Sequence, residues 1–179
     1  MALKATICKA QIQLSDMDRH VYETLTLTIA QHPSETNERM MVRLIAYLLN
    51  THEHLQFTKG LSADDEPEIW QKNLSDEIDV WIDLGLPEEK RLRKACSRAK
   101  KVIIYTYGGT AVKLWWQRTE NKVSRFKHLT VINMPQEQVD ELTKMAGRSM
   151  EFQCTIQDGE TWLSNDDASV TVIPDIMMG

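Results

Sequence analysis

The chain has 179 residues and a mass of 20.7 kDa, which is the size of one ordinary domain. Hydrophobic residues make up 42% of it and charged residues 26%, so composition excludes a disordered, collagen-like or disulfide-stapled protein. No apolar run approaches the roughly 20 residues that span a bilayer, and the N-terminus lacks the apolar segment of a signal peptide. We therefore expect a cytoplasmic protein without membrane contact, folded as one domain over residues 1–179.

The cysteines give no sign of a chemical role. Cys8, Cys96 and Cys154 are far apart and odd in number, and their spacing matches neither a zinc site nor a redox pair. We expect them to be buried as small hydrophobic residues in a reducing compartment.

Charge is distributed unevenly along the chain, whose net charge is -5. Between residues 87 and 128, twelve Lys or Arg residues face three Glu residues, a net charge of +9, so the remainder carries -14. A basic block inside an acidic chain is typical of a surface that binds phosphate. Two solvated helix faces would give the same pattern, and both interpretations stay open at this point.

The first part of the chain predicts a β-hairpin followed by a helix. Apolar and polar residues alternate over 6–14 and again over 24–29, although a helix over 16–30 is an alternative for the second segment. The helix is predicted from about residue 35 to 49, with Ser34 as its N-cap. Three strands are predicted next, at 55–57, 69–71 and 78–85, the middle one with a single helical turn as the alternative.

The second part predicts alternating helices and strands. Pro87 opens a helix expected to reach about Lys101, and the apolar segment 102–107 is typical of a strand buried on both faces. Asp158-Gly159 is a strong hairpin turn. The other predicted elements are helices at 110–126 and 136–146 and strands at 129–132, 150–156, 161–163 and 170–172. The order ββαβββαβαβαβββ predicts an α/β fold, a mixed β-sheet flanked by helices.

Acidic side chains are predicted to meet at one end of this sheet. A hairpin centred between residues 75 and 76 places Asp83 at a strand end beside Asp65 and Glu66. Glu38, on the apolar stripe of the first helix, is expected to face the same sheet. Carboxylates so placed repel one another unless a cation is shared, and an all-oxygen set suits Mg²⁺ or Mn²⁺. The alternatives are a turn capped by Asp65 and Glu66 and a solvated Asp83.

Positive charge is unusual at the start of the helix that follows Asp83, because the helix dipole disfavours cations there. Lys90 and Arg91 lie in that first turn, and Lys94 follows one turn later. Arg91 lies nearest the apolar stripe, so we expect it to reach back over the strand end. A simple pair with Glu88 or another nearby carboxylate is the alternative.

Several short motifs together resemble a known family. They are His32-Pro33-Ser34-Glu35-Thr36, Glu38-Arg39-Met40, Gly60-Leu61, Asp65-Glu66-Pro67 with Trp70, Trp81-Ile82-Asp83-Leu84-Gly85-Leu86-Pro87, Lys94-Ala95-Cys96 and Tyr105-Thr106-Tyr107. This set is similar to the YaeQ family of small bacterial proteins, and the element order resembles the core of the PD-(D/E)XK nuclease superfamily. The motifs cover about the first two-thirds of the chain. The resemblance implies a restriction-endonuclease-like core over about residues 33–133, with an N-terminal β-hairpin and C-terminal strands.

The resemblance also implies roles for individual residues. In that superfamily two acids hold Mg²⁺, and a motif lysine helps to position or deprotonate the attacking water. By position, Asp65 and Asp83 are the two acids and Glu38 is the additional helix acid, with Glu35 as its rival. Glu38, Asp65 and Asp83 are therefore the candidate metal ligands and, with Arg91, the candidate catalytic residues.

The chain departs from the superfamily at the lysine, since Gly85 occupies that position. Arg91 is the first candidate for the missing positive charge and Lys90 the second. Arginine remains protonated, so it can bind phosphate but cannot act as a general base.

Two functions follow as expectations. The first is a Mg²⁺-dependent nuclease that acts on DNA or RNA, with Lys90, Arg91 and Lys94 binding the nucleic acid and Glu66 and Tyr107 lining the cleft. A structural role for Tyr107 is the alternative. The second function is a catalytically inactive protein of the same fold that binds nucleic acid or a protein partner. A protein partner would use the Thr-rich hairpin or the C-terminal strands, and the sequence does not indicate the oligomeric state.

Overall fold

The computed structural model describes residues 4–59 and 65–179, so Gly60-Leu61 of the quoted motifs lies outside the described residues. The helices are α1 (Asn37–Leu49), α2 (Glu89–Arg98), α3 (Thr110–Val123) and α4 (Gln136–Thr143). The strands are β1 (Thr6–Asp16), β2 (Val21–Gln31), β3 (Leu55–Phe57), β4 (Ile69–Lys72), β5 (Ile78–Leu84), β6 (Ala99–Thr106), β7 (Leu129–Asn133), β8 (Ser149–Gln157), β9 (Glu160–Ser164), β10 (Ser169–Val172) and β11 (Asp175–Met178). None of the helices within the described ranges is long and apolar enough to cross a membrane.

The strands form two mixed sheets rather than the single one expected. One has the order β10-β9-β8-β1-β2 and the other β11-β7-β6-β5-β4-β3. The chain divides into a first compact unit, Met1–Leu49 with Glu137–Pro174, and a second, Asn50–Gln136 with Asp175–Gly179. Each unit contains one of the sheets. The predicted α/β class is confirmed, while the single domain with a core at about 33–133 stays a prediction.

The first unit is built on the predicted hairpin. β1 and β2 pair antiparallel, and β1 also pairs parallel with β8. The alternation in β1 buries one row of side chains. Residues 21–31 form strand β2, so the helical alternative for 16–30 is wrong. Asp158 and Gly159 have φ values of 54° and 76°, which is the left-handed geometry that a tight two-residue hairpin turn needs.

Helix α1 begins two residues later than predicted. The hydroxyl of Thr36 accepts the backbone N–H of Arg39 at 3.1 Å, which makes Thr36 the N-cap. Ser34, the predicted cap, instead bonds the ring of His32, with 2.6 Å between its hydroxyl oxygen and Nδ1. All residues from Met40 to Leu48 are buried, so the helix is buried around its whole circumference and not along one stripe.

That burial gives two arginines of α1 a structural role. Arg43 is only 3% exposed, and its Nη2 donates to Glu35 Oε1 at 2.7 Å and to the carbonyl oxygen of Ala30 at 3.1 Å. Arg39 Nη1 donates to the other oxygen of Glu35 at 2.7 Å. Glu35 is thus a buried carboxylate with two cationic partners, while Glu38 is half-buried.

The second unit joins an antiparallel and a parallel part. β3, β4 and β5 pair antiparallel, whereas β5, β6 and β7 pair parallel through the crossover helices α2 and α3. Ile69 lies opposite Ile82 and Trp70 opposite Trp81, which is the predicted hairpin register. The helical alternative at 69–71 is therefore wrong. α2 and α3 pack over Trp81, Ile104 and neighbouring apolar side chains.

Most differences between the predicted and the observed elements lie at the ends of the helices and strands. α2, α3 and α4 each end three residues before the predicted positions. After α2 the chain is already extended at Ala99, with φ -121° and ψ 151°, and Ala99 pairs with Ile78, so β6 begins there. Strand β11 was not predicted, because Asp175–Met178 shows no apolar alternation.

The buried cysteines confirm the prediction from their spacing and lead to a test of reactivity. Burial raises the pKa of Cys96 to about 11 and that of Cys154 to about 12, and it also raises the pKa of Cys8. Since the thiolate is the reactive form, we expect all three thiols to react slowly with Ellman's reagent at pH 8 in the native protein. Unfolding in guanidinium chloride should make all three thiols react quickly. A thiol that reacts quickly in the native protein would contradict this prediction.

The Glu35 network predicts a large cost for removing one charge. Glu35→Gln leaves Arg43 buried without its charged partner, and we expect it to lower the free energy of unfolding by about 3 kcal/mol. Urea denaturation monitored by circular dichroism measures the loss. Glu53→Gln is the control, because the side chain of Glu53 is 80% exposed, and it should cost less than about 1 kcal/mol. Equal losses would show that Glu35 has no special role.

Candidate functional site

The candidate site is built around Asp83 near the end of β5. Its carboxylate is only 2% exposed. Side chains two residues apart on a strand point to the same face, so Trp81 lies beside it. The indole Nε1 of Trp81 donates to Asp83 Oδ2 at 3.0 Å. Asp83 is therefore held in the core of its unit and is not solvated on a sheet face.

Arg91 reaches back from α2 over the strand end, as expected from its position beside the apolar stripe. Its Nε donates to Asp83 Oδ2 at 2.8 Å and its Nη2 to Asp83 Oδ1 at 3.0 Å, which is a bidentate pair. The guanidinium carbon lies 5.9 Å from the ring centroid of Trp81. Arg91 Nη2 also donates to the carbonyl oxygen of Glu66 at 2.9 Å, so one side chain joins α2, β5 and the segment before β4.

Two further cations of α2 hold the same segment. Lys94 Nζ lies 2.5 Å from Asp65 Oδ1, and Arg98 Nη1 donates to the carbonyl oxygen of Asp65 at 2.7 Å. The hydrogen bond from Lys94 holds the pKa of Asp65 below its usual value, although the carboxylate is exposed. Residues 65 and 66 are thus attached to α2 through one side chain and two backbone carbonyls.

The backbone conformation at Gly85 disfavours a lysine or any other side chain at this position. Gly85 has φ +85°, in the left-handed region that glycine adopts readily and other residues rarely do. An ideal Cβ there would meet nothing within 4 Å, so conformation and not space disfavours a side chain. The N–H of Gly85 donates to the carbonyl oxygen of Tyr105 at 2.9 Å, which fixes this turn against β6. Positive charge near Asp83 therefore comes from α2.

The remaining predicted site residues differ in their exposure and in the unit to which they belong. Lys90 is exposed on α2, while Glu66 and Tyr107 are half-buried. Glu38 belongs to the first unit, and Asp65 and Asp83 belong to the second. Sequence reasoning missed the bond from Trp81 to Asp83, and the signal that could have revealed it is their two-residue spacing on one strand.

The carboxylate of Asp83 does not fit a divalent cation in this arrangement. Both of its oxygens are engaged, by two N–H groups of Arg91 and one of Trp81. Over the ranges 4–59 and 65–179, no group of three or more His, Cys, Asp or Glu residues is arranged to hold a metal ion. A metal bound by Glu38, Asp65 and Asp83 stays a prediction, and it requires Arg91 to leave Asp83.

A second feature of this unit is a set of exposed cations at neighbouring strand starts. We call Lys101, Arg125 and Lys127 the basic surface. Lys101 lies at the start of β6, and the next N–H, that of Val102, donates to the carbonyl oxygen of His128 at 3.0 Å. This bond places Lys101 beside the segment that carries Arg125 and Lys127 into β7.

The cations of the basic surface have no acidic partner within 4 Å among the residues that the structure describes. Arg125 instead lies over the ring of Phe126, 4.9 Å from its centroid. Neighbouring cations are paired, since Lys100 Nζ lies 3.0 Å from Asp79 Oδ1 and Lys94 contacts Asp65. The basic surface is therefore one group of cations in the basic block that can meet an external anion; Lys90, Lys113 and Arg118 on α2 and α3 are also exposed and have no acidic partner within 4 Å in the described part of the chain.

The pair of Asp83 and Arg91 predicts the effect of its removal on stability. Arg91→Ala leaves a buried carboxylate without its cation, and we expect the free energy of unfolding to fall by about 2 kcal/mol, since Arg91 is partly exposed. Arg93→Ala is the control on the same helix, because its pair with Glu89 is at the surface and contributes less than about 1 kcal/mol. Urea denaturation compares the two, and equal losses would contradict the prediction.

Comparison with known proteins identifies relatives along nearly the whole chain. The family model described as YaeQ protein matches residues 1–174. The uncharacterized protein YaeQ of Escherichia coli K12 is 49% identical over 172 residues, which covers 96% of this chain and 95% of that protein. The protein of the same name from Salmonella typhi is 48% identical over 165 residues, covering 92% of this chain and 91% of its own length.

Solved structures agree with these matches. The YaeQ protein from Xanthomonas axonopodis pv. citri has a TM-score of 0.95 at 43% identity, with 98% of this chain and 99% of that chain covered. The YaeQ protein from Pseudomonas syringae has a TM-score of 0.94 at 34% identity, with 98% and 97% covered. The resemblance seen in the short motifs thus extends over the full fold, and the chain belongs to the YaeQ family.

Proposed function

We propose that this protein binds nucleic acid through phosphate contacts at the basic surface and does not cleave it. The observation that carries the proposal is the contrast between two sets of charges in the same unit. The cation nearest the candidate catalytic acid is bound to that acid, whereas Lys101, Arg125 and Lys127 are exposed and have no acidic partner in the described part of the chain.

Exposed cations suit a phosphate backbone better than they suit a folded protein. Lys and Arg that contact phosphates release condensed counterions, which supplies most sequence-independent affinity. Lysine and arginine near a helix C-terminus also interact favourably with the helix dipole, and this stabilisation would be a purely structural reason for their presence. Arg125 directly follows Ser124, the C-cap of α3, so the dipole favours a cation there; Lys127 lies two residues further on and Lys101 lies on a strand, so the dipole accounts for neither of them.

A metal-dependent nuclease of the PD-(D/E)XK type, acting on DNA or RNA, is the second candidate. It is favoured by the position of Asp83 near the carboxyl end of β5, beside the parallel strand β6, because ligands of open α/β sheets lie at such ends. Against it stand the bidentate pair with Arg91 and the glycine at position 85. If the partner is a protein and not a nucleic acid, the binding and cleavage tests below should show neither binding nor cleavage of the nucleic-acid probes.

The binding proposal is tested by fluorescence anisotropy with labelled single-stranded RNA, single-stranded DNA and duplex DNA. The triple variant Lys101→Gln, Arg125→Gln, Lys127→Gln removes three phosphate contacts. We expect the slope of log affinity against log salt on single strands to become shallower by about 2, because each contact contributes about 0.7. Binding to all three probes should weaken, since phosphate contacts carry no base specificity.

The matched control neutralises three lysines of the other unit. Lys4, Lys9 and Lys144 are exposed, and changing them to Gln gives the same net charge. The control should retain the wild-type salt slope. If both variants lose affinity equally, the effect is one of net charge and the basic surface is not the binding site. Absence of binding to every probe at low salt would reject the proposal.

The choice between binding and cleavage is tested with Mn²⁺ by calorimetry on the wild type and on Asp83→Asn. Asparagine retains a carbonyl oxygen for Trp81 and removes the charge that a metal requires. We expect the two proteins to give the same heats at millimolar Mn²⁺, and neither to cleave the three nucleic-acid probes. Mn²⁺ binding that is present in the wild type and lost in Asp83→Asn would instead support the nuclease.

A further inference from the structure

The long strand β2 lies at the edge of the five-stranded sheet. It has 11 residues, Val21–Gln31, and its whole length pairs with β1 on one side. Edge strands expose backbone N–H and C=O groups to other chains, and proteins usually shorten, bend or charge them. An uninterrupted edge of this length therefore needs an explanation.

Hydrogen bonds of β1 show which backbone groups of β2 point outward. The N–H of Lys9 donates to Arg148 and that of Met17 to Ile156, each to the carbonyl oxygen at 2.8 Å, so odd-numbered residues of β1 face β8. Even-numbered residues of β1 consequently face β2. In the antiparallel register Ala10 pairs with Leu27, so odd-numbered residues of β2 bond β1. The even-numbered residues of β2 therefore direct their backbone N–H and C=O groups away from β1, toward the open edge of the sheet.

One end of this edge is covered and the remainder is open. The carbonyl oxygen of Ala30 accepts Arg43 Nη2 at 3.1 Å, in agreement with the outward direction. The outward backbone groups of Tyr22, Thr24, Thr26 and Thr28 have no partner within residues 4–59 and 65–179, and their side chains are exposed. The open edge therefore extends from residue 22 to residue 28.

We propose that the open edge pairs with that of a second copy of this chain, antiparallel, around a two-fold axis at Leu25. Tyr22 then pairs with Thr28 of the second copy and Thr24 with Thr26 of the second copy. Each pairing occurs twice, and each pair exchanges two bonds, which gives about eight backbone hydrogen bonds. The two five-stranded sheets become one continuous sheet.

The chemistry of the edge favours a second copy over an unrelated strand. The outward residues are one tyrosine and three threonines, so identical edges meet without like-charge repulsion, although the chain carries a net charge of -5. Threonine pairs across antiparallel strands are favourable. The open edge, residues 22 to 28, is symmetric about Leu25, as an isologous two-fold interface requires.

The other face of β2 supports the same register. Leu25 is half-buried within one copy, and at the axis it meets Leu25 of the second copy in a closely spaced pair that covers its exposed part. Glu23 lies opposite Leu27 of the second copy and not opposite another acid. A shift of the axis to residue 23 would bring two glutamates together, which is unfavourable.

Light scattering coupled to size exclusion tests the assembly over a range of concentrations. We expect a concentration-dependent dimer for the wild type. Thr26→Pro removes an outward N–H and no bond to β1, so it should shift the protein to monomer without unfolding it. Thr26→Val retains the N–H and should dimerise like the wild type. A wild type that stays monomeric at the highest concentration, or a proline variant that dimerises equally well, overturns the proposal.

Oxidative cross-linking tests the register. At the axis the two copies of residue 25 form a non-hydrogen-bonded pair with Cα atoms about 4.5 Å apart, within disulfide range. Leu25→Cys should give a covalent dimer on a non-reducing gel, and background is low because the native cysteines are buried. Thr28→Cys is the control, since the two copies of residue 28 lie about 20 Å apart.

The expected result is a cross-linked dimer for Leu25→Cys and none for Thr28→Cys. Equal cross-linking of the two, or none in either, overturns the register at Leu25. If Leu25→Cys does not fold, an equimolar mixture of Thr24→Cys and Thr26→Cys replaces it, because these exposed positions face each other across the interface. The mixture should form a heterodimer, and a mixture that forms none overturns the proposal.

Discussion

The bidentate pair between Asp83 and Arg91 is the interaction on which the candidate site depends. A carboxylate buried to this degree requires a compensating charge, and Arg91 supplies it from a helix turn where the dipole disfavours a cation. The same guanidinium binds the backbone of Glu66, so the pair also fixes the segment that precedes β4. An acid neutralised in this way is part of the framework of the unit.

At position 85 this chain differs from the nuclease pattern in backbone conformation as well as in side chain. With φ at +85°, the chain has already turned away from the direction in which a strand would carry a lysine toward Asp83. Restoring a lysine there would place it in a backbone conformation that costs of the order of 1–2 kcal/mol. The positive charge beside Asp83 belongs to an arginine of α2, which binds anions and does not accept protons.

Sequence reasoning predicted features that depend on short periodicities and missed those that depend on the whole fold. Alternation gave the register of β4 and β5, and with it the position of Asp83, because a strand has a period of two. The buried role of Arg43 was missed because a helical wheel cannot show that α1 is covered on every side. The same limitation left Glu35 and Glu38 as rivals, and the division into two sheets depends on pairings such as β1 with β8.

The distribution of cations shows that charge counting alone does not reveal which cations are already paired. Lys94 and Arg91 were natural candidates for nucleic-acid contacts, yet both are bound to carboxylates of their own chain. Their charge is compensated locally, so a phosphate would have to compete with a bound acid. A basic segment with a net charge of +9 therefore offers far fewer external contacts than its sequence implies. Of those that remain, Lys101, Arg125 and Lys127 lie where the chain enters β6 and β7, whereas Lys90, Lys113 and Arg118 lie on α2 and α3.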